Sequence, residues 1–192
     1  MSPLTPDPSK SALLLIDVIN DLMFDGGEEL LQYARPMAAQ LARFKRYARA
    51  QQMPVIYAND NFGQWHADFQ VLVQRCLQDH VRGREIVKLL RPDKEDYFVL
   101  KPKHSAFYQT SLDVLLSNLE VTSLIITGMA GDICVLFTAN DAYMRDFNII
   151  VPGDCVASED EEHNAQVLQL IQRVLKADVT PFAKWDVAVK DE

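Results

Sequence analysis

Three side chains that could act together on a substrate each follow a predicted strand in this sequence. They are the carboxylate of Asp17, the amine of Lys101 and the thiol of Cys134. In an open parallel sheet the carboxyl ends of the strands meet at one edge, and ligands bind there. A thiol, a carboxylate and an ammonium at that edge would supply a nucleophile, a base and an electrostatic partner. We therefore predict a nucleophilic site built from these three residues.

The thiol of Cys134 is predicted to lie in the first turn of a helix. The surrounding sequence is GMAGDICVLFTANDA, which follows an apolar strand that stops at Thr127, and a helix begins near Asp132 or Ile133. Unpaired N–H groups and the helix dipole favour an anion there, so we expect a lowered thiol pKa. The same N–H groups could hold an oxyanion. A small buried apolar residue is the competing interpretation, and position alone leaves both open.

The other reactive side chains also have ordinary structural interpretations. Asp17 could cap a turn, and Lys101 could be a solvated lysine at a strand end. Cys76 lies on an apolar helical stripe and Cys155 follows a strand, so we interpret both as buried structural residues. The chemical interpretation depends on whether Asp17, Lys101 and Cys134 converge.

Apolar runs and amphipathic stretches alternate along most of the chain, which favours a mostly parallel sheet with helices on both faces. The run SALLLID is too short for a helix and is typical of a strand buried on both faces. The predicted strands are 11–17, 55–59, 97–100, 121–127 and 148–152, with a last short strand at 177–180. The predicted helices are 34–48, 65–76, 84–90, 111–119, 133–145 and 159–176. We predict a single doubly wound, Rossmann-like α/β sheet of about five or six strands.

The composition fits one globular domain spanning residues 1–192, with residues 1–10 as a loose lead-in. The chain has 192 residues, of which 48% are hydrophobic and 24% are charged. A net charge of −8 without a Lys/Arg cluster argues against a nucleic-acid partner. Three cysteines without disulfide spacing suit a reducing compartment. The Pro-rich stretch MSPLTPDPSK lacks the apolar segment expected of a signal peptide, and no apolar run is long enough for a membrane span. We expect a cytoplasmic protein with a small-molecule substrate and no membrane partner.

Three stretches, in one order and over nearly the whole chain, resemble a known superfamily. They are LLLIDVINDL followed by DGG at 25–27, then VLKPKHSAFYQTSL, then GMAGDICVLFTANDAY. Together they are similar to the isochorismatase-like cysteine hydrolase superfamily, which includes nicotinamidases, N-carbamoyl amide hydrolases and isochorismatases. The resemblance implies a six-stranded doubly wound sheet, no cofactor, and a homo-oligomer such as a dimer or tetramer.

The resemblance also implies roles for individual residues. Asp17 matches the acid of an Asp–Lys–Cys triad, Lys101 the lysine four residues before the SAF triplet, and Cys134 the nucleophile. A cis peptide bond is implied between Met129 and Ala130, and the backbone N–H groups of Ala130 and Cys134 would form the oxyanion hole. The implied reaction is hydrolysis of a small carboxamide or ureido C–N bond through a thioester on Cys134.

The sequence departs from the nicotinamidases of this superfamily at two positions. Their D-x-H metal motif after the second strand keeps only Asp60 here, because Phe62 stands at the histidine position. Ile19 replaces a glutamine that follows the acid at this spacing. We therefore expect no bound metal, although Asp60 leaves a weak site open, and no standard nicotinamidase activity.

Four residues near the same edge are candidates for substrate contacts. Phe62, Trp65 and Phe107 could wall an apolar pocket, and Asn61 could orient a polar end of the substrate. Ordinary packing is an equal interpretation for Trp65 and Phe107. His104 also falls near this edge, without an assigned role.

Two other functions remain open on the sequence alone. One is an ester or vinyl-ether hydrolase of the same fold, and the other is a non-catalytic member that uses the fold for binding or assembly. The cysteine argues against isochorismatase chemistry proper, which needs an acid and not a nucleophile. An intact Asp–Lys–Cys set favours an enzyme.

Overall fold

The computed structural model describes residues 6–61, 63 and 68–188, and it contains one sheet. Its six strands are β1 (Ser11–Ile16), β2 (Val55–Asp60), β3 (Tyr97–Lys101), β4 (Ser123–Met129), β5 (Asn148–Ile150) and β6 (Val156–Ala157). The order across the sheet is β3-β2-β1-β4-β5, and β6 pairs with the end of β4. The pairings between these strands are all parallel, which confirms the predicted fold class.

Helices cover both faces of the sheet. They are α1 (Gly27–Ala50), α2 (Phe69–Cys76), α3 (Arg84–Leu89), α4 (Leu112–Asn118), α5 (Leu136–Tyr143) and α6 (Glu161–Leu175). One hydrophobic cluster joins α1, α2 and α3 to one face, and a second joins α4, α5 and α6 to the other. Over the residues that the structure describes, none of the helices is long and apolar enough to cross a lipid bilayer.

β1 lies in the middle of the sheet and is covered on both sides. Leu13 and Leu15 pack into the cluster that contains α1, while Leu14 and Ile16 pack into the cluster on the opposite face. All four side chains are fully buried. A strand covered on both faces favours a continuous apolar run, which is why SALLLI does not alternate between apolar and polar residues.

The sixth strand is not the one predicted from the sequence. Residues 177–180 form no strand and make only a single bridge, through Asp178. The sixth strand is instead Val156–Ala157, which pairs with Gly128 and Met129. The reason is that β5 is only three residues long and pairs with the first half of β4, so the second half of β4 accepts another partner.

The first helix begins earlier than predicted, at Gly27 instead of Ala34. The chain enters it through Gly26 in a left-handed conformation, and Pro36 lies inside the helix. Proline cannot donate to the carbonyl four residues earlier, which is why it usually marks a helix boundary. Here the buried side chain of Leu30 extends the apolar face of the helix, so packing outweighs the local preference.

A cluster of charged residues ties α1 to the turn before β3. Lys45 on α1 contacts the Asp96 carboxylate at 3.0 Å, and Arg49 contacts it at 2.6 Å. The side chains of Lys45 and Asp96 are 7% and 3% exposed. Asp93 contacts the same two cations, but its side chain is 54% exposed. This cluster fixes the start of β3, the strand that ends at Lys101.

We predict that Asp96→Ala lowers the free energy of unfolding by about 3 kcal/mol, because it removes the buried partner of the Lys45 ammonium. Asp93→Ala is the matched control, since the same change at an exposed carboxylate of the same cluster should cost about 1 kcal/mol or less. Urea unfolding followed by circular dichroism measures both values. Equal losses in the two variants would contradict the importance of burial at Asp96.

Candidate active site

The structure brings Asp17, Lys101 and Cys134 together at the carboxyl edge of the sheet. Asp17 directly follows β1, and Lys101 is the last residue of β3. Cys134 lies in a single π-helical turn, Gly131–Val135, between β4 and α5. The chain leaves the neighbouring strands β1 and β4 toward opposite faces of the sheet. Doubly wound sheets form their ligand crevice at such a reversal.

Asp17 is both a turn residue and a buried anion. Its φ of 52° places it in the left-handed region, which aspartate tolerates better than most residues, and its own N–H donates to the Ala58 carbonyl at 3.0 Å. One carboxylate oxygen accepts from the Asp60 backbone N–H at 2.7 Å. The other lies 2.8 Å from the Lys101 ammonium. The residue is 6% exposed, so its charge depends on these partners.

Lys101 is fully buried, so the solvated interpretation of this residue is wrong. Its Nζ atom lies 2.8 Å from Asp17 Oδ2, 3.4 Å from Cys134 Sγ and 3.3 Å from the Lys103 carbonyl oxygen. An ammonium has three N–H donors, and these three acceptors match them. Asp60 Oδ2 lies farther away, at 3.7 Å. Lys101 is therefore the group that contacts both the carboxylate and the thiol.

Cys134 is half-buried, between a buried charged pair and the surface. On the buried side, the Lys101 ammonium lies 3.4 Å from its Sγ atom, and the charge of Asp17 acts on the thiol. On the exposed side, its Sγ atom lies 3.9 Å from Nδ1 of His104. A substrate carbonyl that reaches the sulfur would meet the carboxylate and the ammonium at the same time.

Burial raises the pKa of the Asp17 carboxyl above its ordinary value, and the charge of Lys101 opposes that rise. For Lys101, burial by itself lowers the pKa. The negative charge of Asp17 and the other contacts of the ammonium outweigh that effect, so the pKa of Lys101 is raised. Lys101 therefore remains an ammonium and stabilises the ionised form of Asp17.

Burial raises the pKa of the Cys134 thiol to about 12, and the adjacent Asp17 carboxylate adds to the rise. Lys101 acts in the opposite direction but does not reverse it. The prediction of a lowered thiol pKa is therefore wrong, because removal from water and a neighbouring negative charge outweigh the helix turn. The thiol is neutral at rest, so its attack on a substrate requires a base that takes its proton.

A glycine near the end of β4 precedes the turn that carries the cysteine. Gly128 has a φ of 109°, and a Cβ atom there would lie 2.1 Å from the carbonyl oxygen of Ile16 in β1. Only glycine allows this close approach of β4 to β1. The peptide bond between Met129 and Ala130 is cis, as the family resemblance implies. The oxyanion role of the Ala130 and Cys134 amides stays a prediction.

Two polar side chains that sequence reasoning missed join the SAF triplet to α5. The buried hydroxyl of Thr138 donates to the Cys134 carbonyl at 2.7 Å and accepts from the Ala106 N–H at 3.1 Å. The hydroxyl of Ser105 donates to Asp141 on α5 at 2.5 Å. Thr138 follows the cysteine by one helical turn, and this spacing is the signal that could have revealed it.

Phe107 is a buried core residue, which fits the packing interpretation, and its substrate contact stays a prediction. Its ring is 4% exposed and packs into the core cluster on the side of α4 and α5. It lies 6.0 Å from the Phe147 ring, and the Arg145 guanidinium is 4.6 Å from its centroid. These contacts are those of a residue that packs in the core.

The other proposed substrate residues follow β2. The Asn61 backbone N–H donates to the Lys101 carbonyl at 3.1 Å, and its side-chain oxygen accepts from Gly63 at 2.9 Å. Asn61 is half-buried and next to the site, so its substrate contact stays a prediction. Phe62 and Trp65 lie outside the described residues, and so the prediction for them also stands as it was made.

The remaining cysteines and the acidic Asp60 do not add a second reactive centre. Cys76 and Cys155 are 1% and 0% exposed, and burial raises the pKa of both thiols. Both belong to the core cluster, as their structural interpretation predicted. Within the described residues, no group of three or more His, Cys, Asp or Glu side chains is arranged to hold a metal ion.

Proteins of similar sequence align with most of this chain. The family described as "Isochorismatase domain" matches residues 11–180. The uncharacterized isochorismatase family protein YaaI of Bacillus subtilis is 46% identical over 169 residues, which are 88% of this chain and 92% of YaaI. The ureidoacrylate amidohydrolase RutB of Methylobacterium radiotolerans is 27% identical over 215 residues, covering 97% of this chain and 80% of RutB.

A solved structure of another relative has the same fold. The N-carbamoylsarcosine amidase of Thermoplasma acidophilum superimposes with a TM-score of 0.67 at 26% identity, covering 90% of this chain and 96% of that one. The family match spans most of this sequence, and the geometry described above lies within it. The chain belongs to the isochorismatase-like hydrolase family, whose named members include amidases.

Proposed function

We propose that this protein is a cysteine-dependent hydrolase of a small carboxamide or ureido compound, and that it acts through a thioester on Cys134. The observation that carries the proposal is the position of Lys101 Nζ, 2.8 Å from the Asp17 carboxylate and 3.4 Å from the Cys134 sulfur. The names of the RutB and Thermoplasma relatives, both hydrolases of C–N bonds, support the bond type.

In the proposed first step, Asp17 takes the thiol proton as the sulfur attacks the carbonyl carbon of the substrate. The C–S bond forms, and the electron pair of the C=O bond moves to its oxygen. The N–H groups of Ala130 and Cys134 would bind this oxyanion. The raised pKa of Asp17 makes it a better base than an ordinary aspartate, and Lys101 keeps it ionised until the attack.

In the proposed second step, Asp17 returns that proton to the leaving nitrogen. The C–N bond breaks, ammonia or an amine departs, and the acyl group remains on Cys134 as a thioester. A water molecule then attacks the thioester and gives its proton to Asp17. The C–S bond breaks, the acid product leaves, and the proton on Asp17 restores the thiol. One carboxylate thus serves as base and acid in both halves of the reaction.

The position of Asp17 favours amide hydrolysis over ester and vinyl-ether hydrolysis. An amine is a poor leaving group without a proton, and Asp17 receives one from the thiol at the moment it is needed. A vinyl-ether hydrolase needs only the acid. Its reaction would not use the contact between Lys101 and the Cys134 sulfur. A non-catalytic protein would need neither the acid nor the contact between Lys101 and the sulfur.

We predict that ammonia release from a screen of small carboxamides and ureido acids depends on Cys134. Cys134→Ala should lower kcat/KM for any active compound by about a thousandfold or more, because the nucleophile is lost. Cys76→Ala is the matched control, since this thiol is buried in the core away from the site. In the parent protein, mass spectrometry after rapid acid quench should show the acyl group on Cys134. Turnover by the alanine variant at the parental rate would refute the mechanism.

We predict that activity falls as the pH is lowered through the pKa of Asp17. The base must be ionised, so activity is present above this pKa and lost below it. Because burial raises the pKa, the acid limb of kcat/KM should lie above the ordinary aspartate range. Asp17→Asn should reduce kcat/KM about 10²- to 10⁴-fold and abolish the limb. An unchanged limb in Asp17→Asn would assign it to another group.

We predict that iodoacetamide alkylates Cys134 slowly at neutral pH, because the thiol pKa is about 12. The rate should rise about tenfold per pH unit between roughly pH 7 and 10. Asp17→Asn should increase the rate at fixed pH, because a neighbouring negative charge is removed, and Lys101→Met should decrease it. Peptide mass spectrometry separates Cys134 from the other cysteines. A rate independent of pH over this range would contradict the raised pKa.

A further inference from the structure

His104 is the side chain that approaches the Cys134 sulfur from the exposed side of the site. Its Nδ1 atom lies 3.9 Å from Sγ, while the Lys101 ammonium, paired with Asp17, contacts the same sulfur from the buried side. The imidazole takes no part in the proposed mechanism. It is nevertheless close enough to meet a substituent that extends to the exposed side of the carbon that the sulfur attacks.

The residues on both sides of His104 are held by hydrogen bonds that are buried or partly buried. The Lys103 carbonyl accepts from the Lys101 ammonium at 3.3 Å, and Ser105 donates to Asp141. The next residue, Ala106, donates to the buried Thr138. The position of the imidazole beside the sulfur is therefore set by the same contacts that build the site.

The direction of the substrate follows from the proton transfers of the proposed function. The leaving nitrogen must receive a proton from Asp17, so it lies toward the buried carboxylate. The acyl substituent on the same carbon then extends away from Asp17, toward the exposed side where His104 lies. An imidazole there can donate a hydrogen bond through a ring N–H in its neutral or its charged form.

A cavity of about 340 Å³ lies beside His104, the residue whose Nδ1 atom is 3.9 Å from the sulfur. It is lined by Lys103, His104, Ser105, Tyr108, Phe137 and Asp141. The carboxylate of Asp141 is engaged by the Ser105 hydroxyl and lies 3.3 Å from Arg145, so its negative charge is partly matched. Lys103 and His104 thus bring N–H donors to a cavity that an acyl group extending past His104 would enter.

We propose that His104 is a specificity-determining residue that hydrogen-bonds an acceptor, foremost a carboxylate, carried by the acyl group. This inference rests on the proposed function. The distance from Nδ1 to Sγ places the acceptor about one or two bonds beyond the carbonyl carbon, at ordinary hydrogen-bond length from the ring. The ring packs near Phe137, at 5.3 Å between centroids, which limits its rotation.

The first test compares two amides of the same shape, malonamate and isovaleramide, which differ in a carboxylate against an isopropyl group. We expect His104→Leu to lower the ratio of kcat/KM for malonamate over isovaleramide by about tenfold or more, because a charge-assisted hydrogen bond is lost. His104→Asn keeps an N–H donor near the Nδ1 position and should hold the ratio within about threefold. His163→Leu, at the exposed start of α6, is the matched control and should not change the ratio.

The second test does not require turnover. Iodoacetate and iodoacetamide alkylate Cys134 and differ only in carboxylate against amide. We expect the alkylation rate of Cys134 by iodoacetate, divided by its rate with iodoacetamide, to fall at least about threefold in His104→Leu. The same ratio should stay at the parental value in His163→Leu. Peptide mass spectrometry on the folded protein gives both rates.

The two tests separate the inference from the proposed function. A fall of both ratios in His104→Leu supports the role of His104. If neither amide releases ammonia but the alkylation ratio falls, the choice of amide substrates fails while the contact between His104 and a carboxylate at the sulfur is supported. If the amides are hydrolysed and their ratio is the same in His104→Leu as in the parent, the inference is overturned and the hydrolase stands. An unchanged alkylation ratio without turnover overturns it as well.

Discussion

The site depends on one buried ammonium, that of Lys101. Its charge is matched by Asp17 at 2.8 Å, and it contacts the Cys134 sulfur at 3.4 Å. An unpaired charge at this depth would cost several kcal/mol, so a stable fold must deliver a carboxylate to it. The pairing also keeps Asp17 able to act as a base. The ammonium stabilises the ionised form of this carboxylate, whereas burial favours its protonated form. Stability and reactivity therefore rest on the same contact.

The parallel sheet meets this requirement by aligning the ends of four strands. Pairing of β1 with β2 and of β2 with β3 brings Asp17 and Lys101 to one edge, and the N–H of Asp60 between them donates to the Asp17 carboxylate. Pairing of β1 with β4 sets Gly128 beside Ile16 and so places the cysteine turn over the same edge. The charged cluster between α1 and the start of β3 holds the strand that carries the lysine.

The parts of the fold that the sequence predicts are those with a local signal. The uninterrupted apolar run of β1 and the β-branched run of β4 identify central strands, because burial on both faces demands such runs. The strand Val156–Ala157 has no comparable signal, since it exists only because β5 is short. The helix start before Pro36 and the packing of Phe107 against Phe147 likewise depend on neighbours that are distant in the chain.

The sequence by itself determined which groups could take part: a carboxylate, an amine and a thiol, each after a strand and in a recognisable order. Residue type and position after a strand are local properties, so they can be read along the chain. Only the tertiary structure decided the protonation of the thiol and the contact between His104 and the sulfur. The pKa of Cys134 is raised by burial and by Asp17, and His104 approaches the sulfur through a loop after another strand. Both depend on the distances between residues far apart in sequence, which only the folded chain fixes.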